Sequence, residues 1–281
     1  MLSHADAPAE PLFRFEAAAP RRAARAGADL LSGVMGWRLA WALAWADIRN
    51  RYRGSALGPL WLTLSTAVTL ASLGLLYSTL LHESLRSYLP FLAVSMIVWN
   101  MISQIVSDSA NSLIQAEGLI RQLPMPYTVH ALRGLFRNVI VAAHNLPLIV
   151  IVFALAHVPL HPGATAALFG FALVALDAFA AALLLGMLCA RFRDLGQIVN
   201  NVMQLAFFVT PILWKPAALG PRARWLLLDP FYGVLQAVRA PLLGQPIGSA
   251  LWLVTLGYSA LLCVISLAFF VRYRARIAFW V

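Results

Sequence analysis

Six stretches of this chain, roughly residues 57–81, 89–107, 135–157, 165–190, 197–214 and 249–271, are apolar over most of their length. A helix needs about 20 such residues to cross a hydrocarbon core ~30 Å thick, so each stretch reads as a membrane span. The chain of 281 residues is 61% hydrophobic and only 11% charged, against about 25% charged in a typical soluble domain. A soluble core of this size has no room for so much apolar surface. The ~10-residue alternation of β-barrel strands is absent. These features predict an all-α integral membrane protein with six transmembrane helices. The third and fifth spans are the least clean, because His144, Asn145 and Pro147 interrupt one and Asn200, Asn201 and Gln204 enter the other.

Basic residues orient the spans. With a cytosolic N-terminus, sixteen of the 21 Lys and Arg residues fall on inner segments. The outer segments keep Arg86, Lys215, Arg222, Arg224 and Arg239. The positive-inside rule then places both termini in the cytosol. The net charge of +10 belongs to these span edges and not to one soluble face, so nucleic acid is not expected as a partner.

Residues 1–31 are rich in Ala, Pro and Arg and have no apolar h-region. They read as a flexible cytosolic tail rather than a signal peptide. In 32–50, Val34, Trp37, Trp41, Trp45 and Ile48 recur at helical spacing, which suits an amphipathic helix lying among headgroups. A seventh span is disfavoured there by Asp47, Arg49, Arg51 and Arg53, each costly at the bilayer centre. The six-span domain follows over 51–276, and 277–281 is a short C-terminal end. Gly54 and Gly58 are spaced for a close helix approach, and Pro59 suits the first turn of a helix.

Most catalytic chemistries lack their parts. A P-loop needs a lysine after its glycines, and the single lysine, Lys215, lies between Trp214 and Pro216. No cofactor is expected to be bound by this chain. His157 and His161 are separated by Pro159, and His82-Glu83 has no second histidine, so no metal site is expected. Cys189 and Cys263 read as unpaired thiols in apolar surroundings. Asp177 is the one carboxylate deep in a span, either a proton relay of an ion-coupled carrier or a structural acid in a bundle.

Four segments stand out: "RYRGSALGPLW" (51–61), "GLIRQLPMP" (118–126), "FRDLGQIVNNVMQLAFFVTPILW" (192–214) and "DPFYGVLQAVRAPLLG" (229–244). In this order, and in register with six spans, they resemble the ABC-2 type permease subunits that export bacterial O-antigen, capsular polysaccharide or teichoic acid. The resemblance covers roughly residues 34–276. It implies a non-enzymatic transport subunit in the bacterial inner membrane, forming a homodimer with two copies of a P-loop ABC ATPase that handles ATP and Mg2+. The cargo implied is a lipid-linked polysaccharide. "RAPLLG" looks more like the O-antigen branch than the teichoic acid branch.

Carried onto this chain, the resemblance makes 34–50 and 112–125 the parts that touch the ATPase. In the second, a cytosolic coupling helix, Glu117, Leu119, Ile120, Arg121 and Pro124 are the candidate contacts, with Glu117 and Arg121 spaced to brace each other. Segment 216–246 corresponds to short outer gate helices, carrying Asp229, Pro230, Tyr232, Arg239 and Pro241. Arg49, Arg51 and Arg53 are reasonable first contacts for an anionic lipid-linked end. A path for sugar wants hydroxyl partners and flat aromatic faces, and Tyr77, Trp99, Asn100, Gln104, Asn201, Gln204, Phe207, Phe208 and Trp214 are the candidates. Most membrane aromatics face lipid, so about a third of that set is expected on the path. An ABC-2 exporter of a drug, lipid, capsule or teichoic acid, a membrane enzyme, and an ion-coupled carrier built on Asp177 are the alternatives.

Overall fold

The computed structural model describes residues 22–58, 60–159 and 161–281. Pro59 and residues 1–21 of the expected tail, with Arg14 and Arg21, lie outside the described residues. Inside a membrane each backbone polar group must find a partner within its own segment. Among the described residues the regular structure is accordingly all helical. The helices are α1 (Arg22–Met35), α2 (Trp37–Arg51), α3 (Leu60–Leu80), α4 (Leu85–Gln115), α5 (Glu117–Gln122), α6 (Tyr127–Ala156), α7 (Ala167–Arg191), α8 (Leu195–Val209), α9 (Pro230–Leu242), α10 (Ser249–Tyr273) and α11 (Ile277–Trp280). Short 3-10 turns at Pro162–Ala166, Pro216–Leu228 and Arg274–Arg276 join them.

Five helical stretches are long and apolar enough to cross a membrane: Leu60–Leu80, Leu85–Gln122, Tyr127–Ala156, Pro162–Arg191 and Ser249–Trp280. The expected fifth span differs. Its helix α8 has 15 residues, about 22 Å at 1.5 Å per residue. The helix stops at Thr210-Pro211, where proline withholds an N–H, and the chain continues without helix through Trp214.

Neighbouring contacts show how this segment still travels the depth of the bundle. Phe169 meets Trp252, Ser259 bonds Asp177, and Ser266 bonds the Ala180 carbonyl, so α7 and α10 run parallel. Parallel neighbours oblige the chain between them to return from one end to the other. Along antiparallel α4, Ser107 meets Asn200, Trp99 meets Phe207, and Tyr88 bonds the Leu213 carbonyl. From Ser107 to Tyr88, α4 rises about 28 Å. The segment from Asn200 to Leu213, helix to Val209 and then a bent non-helical chain, follows that same length of α4. Thr210, Pro211, Ile212 and Leu213 are buried by protein, the condition under which non-helical backbone persists at membrane depth.

Helix α4 is the centre of the bundle, packed by α3, α6, α7, α8 and α9. Its stretch from Phe91 to Trp99 is buried all round. Helix α9 packs on α7 so closely that a Cβ on Gly170 would stand 2.3 Å from the Ala237 carbonyl oxygen. Among the described residues no helix packs against Gly54 or Gly58. Their φ values are +82° and +54°, and nothing lies within 4 Å of a Cβ placed on either. They shape the turn before α3, where left-handed backbone favours glycine.

The tail also differs from expectation. Residues 22–31 belong to α1, a docked helix whose Asp29 is 2% exposed. Asp29 accepts hydrogen bonds from the Thr128 N–H (3.1 Å), the Thr128 hydroxyl (2.7 Å) and the Tyr127 N–H (3.3 Å). It also pairs with Arg274 at 2.6 Å. The first N–H groups of a helix have no partner inside it, and Pro126 before α6 has no capping side chain. Asp29 therefore caps α6 from another helix and ties both to the end of α10.

Helix α2 buries Ala40, Ala44 and Ile48 against α6. Trp37, Trp41 and Trp45 stay 50%, 42% and 49% exposed, as a headgroup-level stripe requires. Ile48, expected on that stripe, lies in the buried seam instead. The C-terminal end is packed, with Ile277 and Val281 in a cluster with Leu113, Met187 and Ala190.

Candidate translocation surface and gate

The polar and aromatic candidates fall into three places. Asn201, Gln204 and Phe208 are exposed on one side of α8 at i, i+3, i+7. Phe208 is 65% exposed and meets half-buried Phe207 edge-on, 5.2 Å between centroids. Asn100 and Gln104, on α4, open instead into a cavity between α3, α4 and α6. Trp99 belongs to neither surface. It is 3% exposed, between Phe207 at 6.2 Å and Phe231 at 5.6 Å, and so forms core rather than path. Tyr77 is half-buried against the same core. Trp214 is half-buried, its indole N–H 3.4 Å from the Phe208 carbonyl.

The outer segment is assembled around the break after α8. Asp229 caps α9, accepting from the Phe231 N–H at 2.9 Å and the Thr210 hydroxyl at 2.7 Å. Burial pushes its carboxyl above the usual range, and these hydrogen bonds pull it back. Pro230 takes the first helical position, where no N–H is needed. Arg239 is 1% exposed and has no carboxylate partner among the described residues. It donates to the Pro211 carbonyl (2.6 Å), the Ser95 hydroxyl (2.8 Å) and the Gln236 side chain (3.0 Å), with its guanidinium 4.6 Å from the Phe91 ring. Arg239, Thr210 and Tyr88 thus fasten α9 and the broken segment to α4. Tyr232 accepts from Gln236, and Pro241 is buried in the last turn of α9. Lys215 pairs with Glu83 at the outer edge.

On the opposite end, α5 is shorter than the expected 112–125. α4 runs on to Gln115, and α5 starts after a break at Ala116. Glu117 and Arg121 pair at 2.8 Å, and Arg121 also donates to the Val281 carbonyl at 2.8 Å. Leu119 and Ile120 are half-buried, while Leu123 and Pro124 are exposed. Leu123 is extended, as the residue before a proline prefers. Arg49, Arg51 and Arg53 are exposed and have no acidic partner among the described residues.

Sequence reasoning missed one buried charge network. Asp47 on α2 pairs with Arg133 at 2.5 Å and with Arg137 at 3.4 Å, both on α6. Arg137 reaches Asp108 on α4 at 3.0 Å, and Asp108 accepts from Asn138 and Gln104 at 3.0 Å each. Two acids and two bases balance where lone charges are expensive. The signal was present in the composition, since a carboxylate near a span demands a nearby cation, but the partners are 86 and 29 residues away. Asp177 accepts from Ser259 and lines an apolar cavity of about 470 Å³ among α4, α7, α8, α9 and α10. Among the described residues no cluster of His, Cys, Asp and Glu is arranged to hold a metal.

Comparisons with known proteins bear on what this arrangement is for. The family profile described as ABC-2 type transporter matches residues 38–243. An O-antigen export system permease protein RfbA of Myxococcus xanthus is 25% identical over 203 residues, covering 69% of this chain and 76% of its own. Two of the same designation from Klebsiella pneumoniae are each 22% identical, covering 64% of this chain and 70% of their own. The family match takes in nearly all of α2 and runs through α9, including α5 and the broken helix: this chain belongs to the ABC-2 type transporter family.

Proposed function

We propose that this chain is the membrane subunit of an ATP-driven exporter that moves a lipid-linked O-antigen polysaccharide outward across a bacterial inner membrane. The observation that carries the cargo is the naming of its relatives as O-antigen export permeases, at 22–25% identity over about 200 residues. With its single lysine outside any P-loop, the chain takes its energy from a separate ATPase, which binds ATP and Mg2+. Two copies of the chain pair with two ATPase subunits, both termini lying in the cytosol. Helices α2 and α5 form the ATPase-facing side. Arg49, Arg51 and Arg53 meet the anionic end of the cargo, and the α8 face carrying Asn201, Gln204 and Phe208 contributes to the path between two copies.

The test is deletion of the gene with complementation. Lipid-linked glycan should accumulate in the inner membrane and disappear from the cell surface, and the wild-type gene should restore it. Unchanged surface glycan in the deletion strain refutes the cargo.

A further inference from the structure

The cavity between α3, α4 and α6 has a volume of about 220 Å³ and a lining that neither lipid nor ion suits. Asn100, Ser103, Gln104 and Ser107 come from one face of α4, at i, i+3, i+4 and i+7, and Asn138 and Asn145 come from α6. Among the described residues no charged side chain lines it. Asn100 and Ser103 make no hydrogen bond among the described residues, and the buried Asn145 Oδ1 has no partner. An acyl chain would leave these groups unmatched, at several kcal/mol each in a membrane interior. A bare ion or phosphate would lack a countercharge.

Several of these side chains are fixed from outside the cavity. Asp108 holds the amide nitrogens of Gln104 and Asn138, and the Asn138 amide also bonds the Gly134 carbonyl. Asp108 is itself locked by Arg137. Ser107 is tied to Asn200 on α8. Between the polar groups lie Ile97, Met101, Val141 and Ala142, which offer apolar faces. Oriented, uncharged donors and acceptors interleaved with C–H surface match a ring that carries hydroxyls on its edge and C–H bonds on its faces. The volume corresponds to about seven waters at ~30 Å³ each, or to one pyranose.

We infer that this cavity is a binding subsite for a single pyranose ring of a neutral glycan, held by Asn100, Ser103 and Asn145 with Gln104 and Asn138 as pre-oriented partners. The inference rests on the glycan-cargo reading and adds a discrete site beside the α8 surface.

Saturation-transfer NMR on the full chain in lipid nanodiscs tests it, with methyl glycosides of neutral hexoses as probes. The wild type should transfer saturation to pyranose ring protons. Asn100→Ala should weaken binding about threefold to tenfold, the worth of one uncharged hydrogen bond. Ser103→Leu, which fills the cavity, should abolish the signal without lowering the melting temperature. Leu253→Ala, on the exposed face of α10, should leave it unchanged, while Phe208→Ala reports on the α8 surface. No transfer in the wild type, an undiminished signal in Ser103→Leu, or loss only in Phe208→Ala overturns the subsite. Intact glycan export by a chain that gives no transfer removes the subsite alone. Transfer by a chain whose deletion leaves surface glycan unchanged refutes the cargo and leaves a hydroxyl-binding cavity.

Discussion

Replacing Arg137 by Met isolates one buried charge. Arg137 is 7% exposed and lies between Asp108 and Asp47. Without it, Asp47 keeps Arg133. Asp108 keeps only the uncharged amides of Asn138 and Gln104, so one carboxylate remains buried without a cation. Removing one partner of a buried pair costs about 3–5 kcal/mol, most of it the penalty on the charge left behind. Neutralising that charge as well, in Arg137→Met with Asp108→Asn, keeps an acceptor for one of the two amides and should recover part of the loss. Denaturant unfolding of the purified chain in detergent, followed by tryptophan fluorescence, measures both changes. The two residues touch, so the double variant should be far from additive. A single variant costing under about 1 kcal/mol, or a double variant equal to the sum of the singles, refutes the view that the network is held by charge balance.

Three more outcomes follow from the same contacts. Asp29→Ala should cost at least the ~1 kcal/mol of a lost cap and raise proteolytic cleavage within α1, measured by limited digestion; unchanged digestion would mean that α1 docks without it. Arg239→Met strands the Pro211 carbonyl and should reduce thermal stability and export together, whereas Asp229→Asn, which keeps a capping oxygen, should fall within about 0.5 kcal/mol of wild type. Gly170→Ala meets the Ala237 carbonyl at 2.3 Å and should displace α9, lowering the melting temperature by several degrees; a neutral result would show that the α7–α9 approach is loose.

The spans were readable because burial in lipid is a local property. A run of about 20 apolar residues announces itself without reference to any partner, and so do prolines at Pro124 and Pro126 that end a helix. What escaped depends on contacts distant in sequence. Asp29 caps a helix 98 residues away and meets Arg274 across 245. Trp99 and Phe208 are both aromatic residues on amphipathic stretches, yet one is core and the other open. Their difference lies in helix rotation, set by neighbours. The break at Thr210-Pro211 is visible as a proline, but its burial needed Tyr88 and Arg239 to donate to the Leu213 and Pro211 carbonyls, with Ser95 accepting from Arg239. The coupling segment was legible in its Glu117–Arg121 spacing, though not in its contact with Val281.

The central claim is that another subunit's ATP drives glycan through this chain. Inverted inner-membrane vesicles containing the chain and its ATPase, loaded with lipid-linked glycan, test it directly. Glycan should become protected inside the vesicles only with ATP, and a proton uncoupler should not abolish it. Protection that persists without the ATPase and vanishes with the uncoupler would contradict the account and return Asp177 to consideration as a proton carrier.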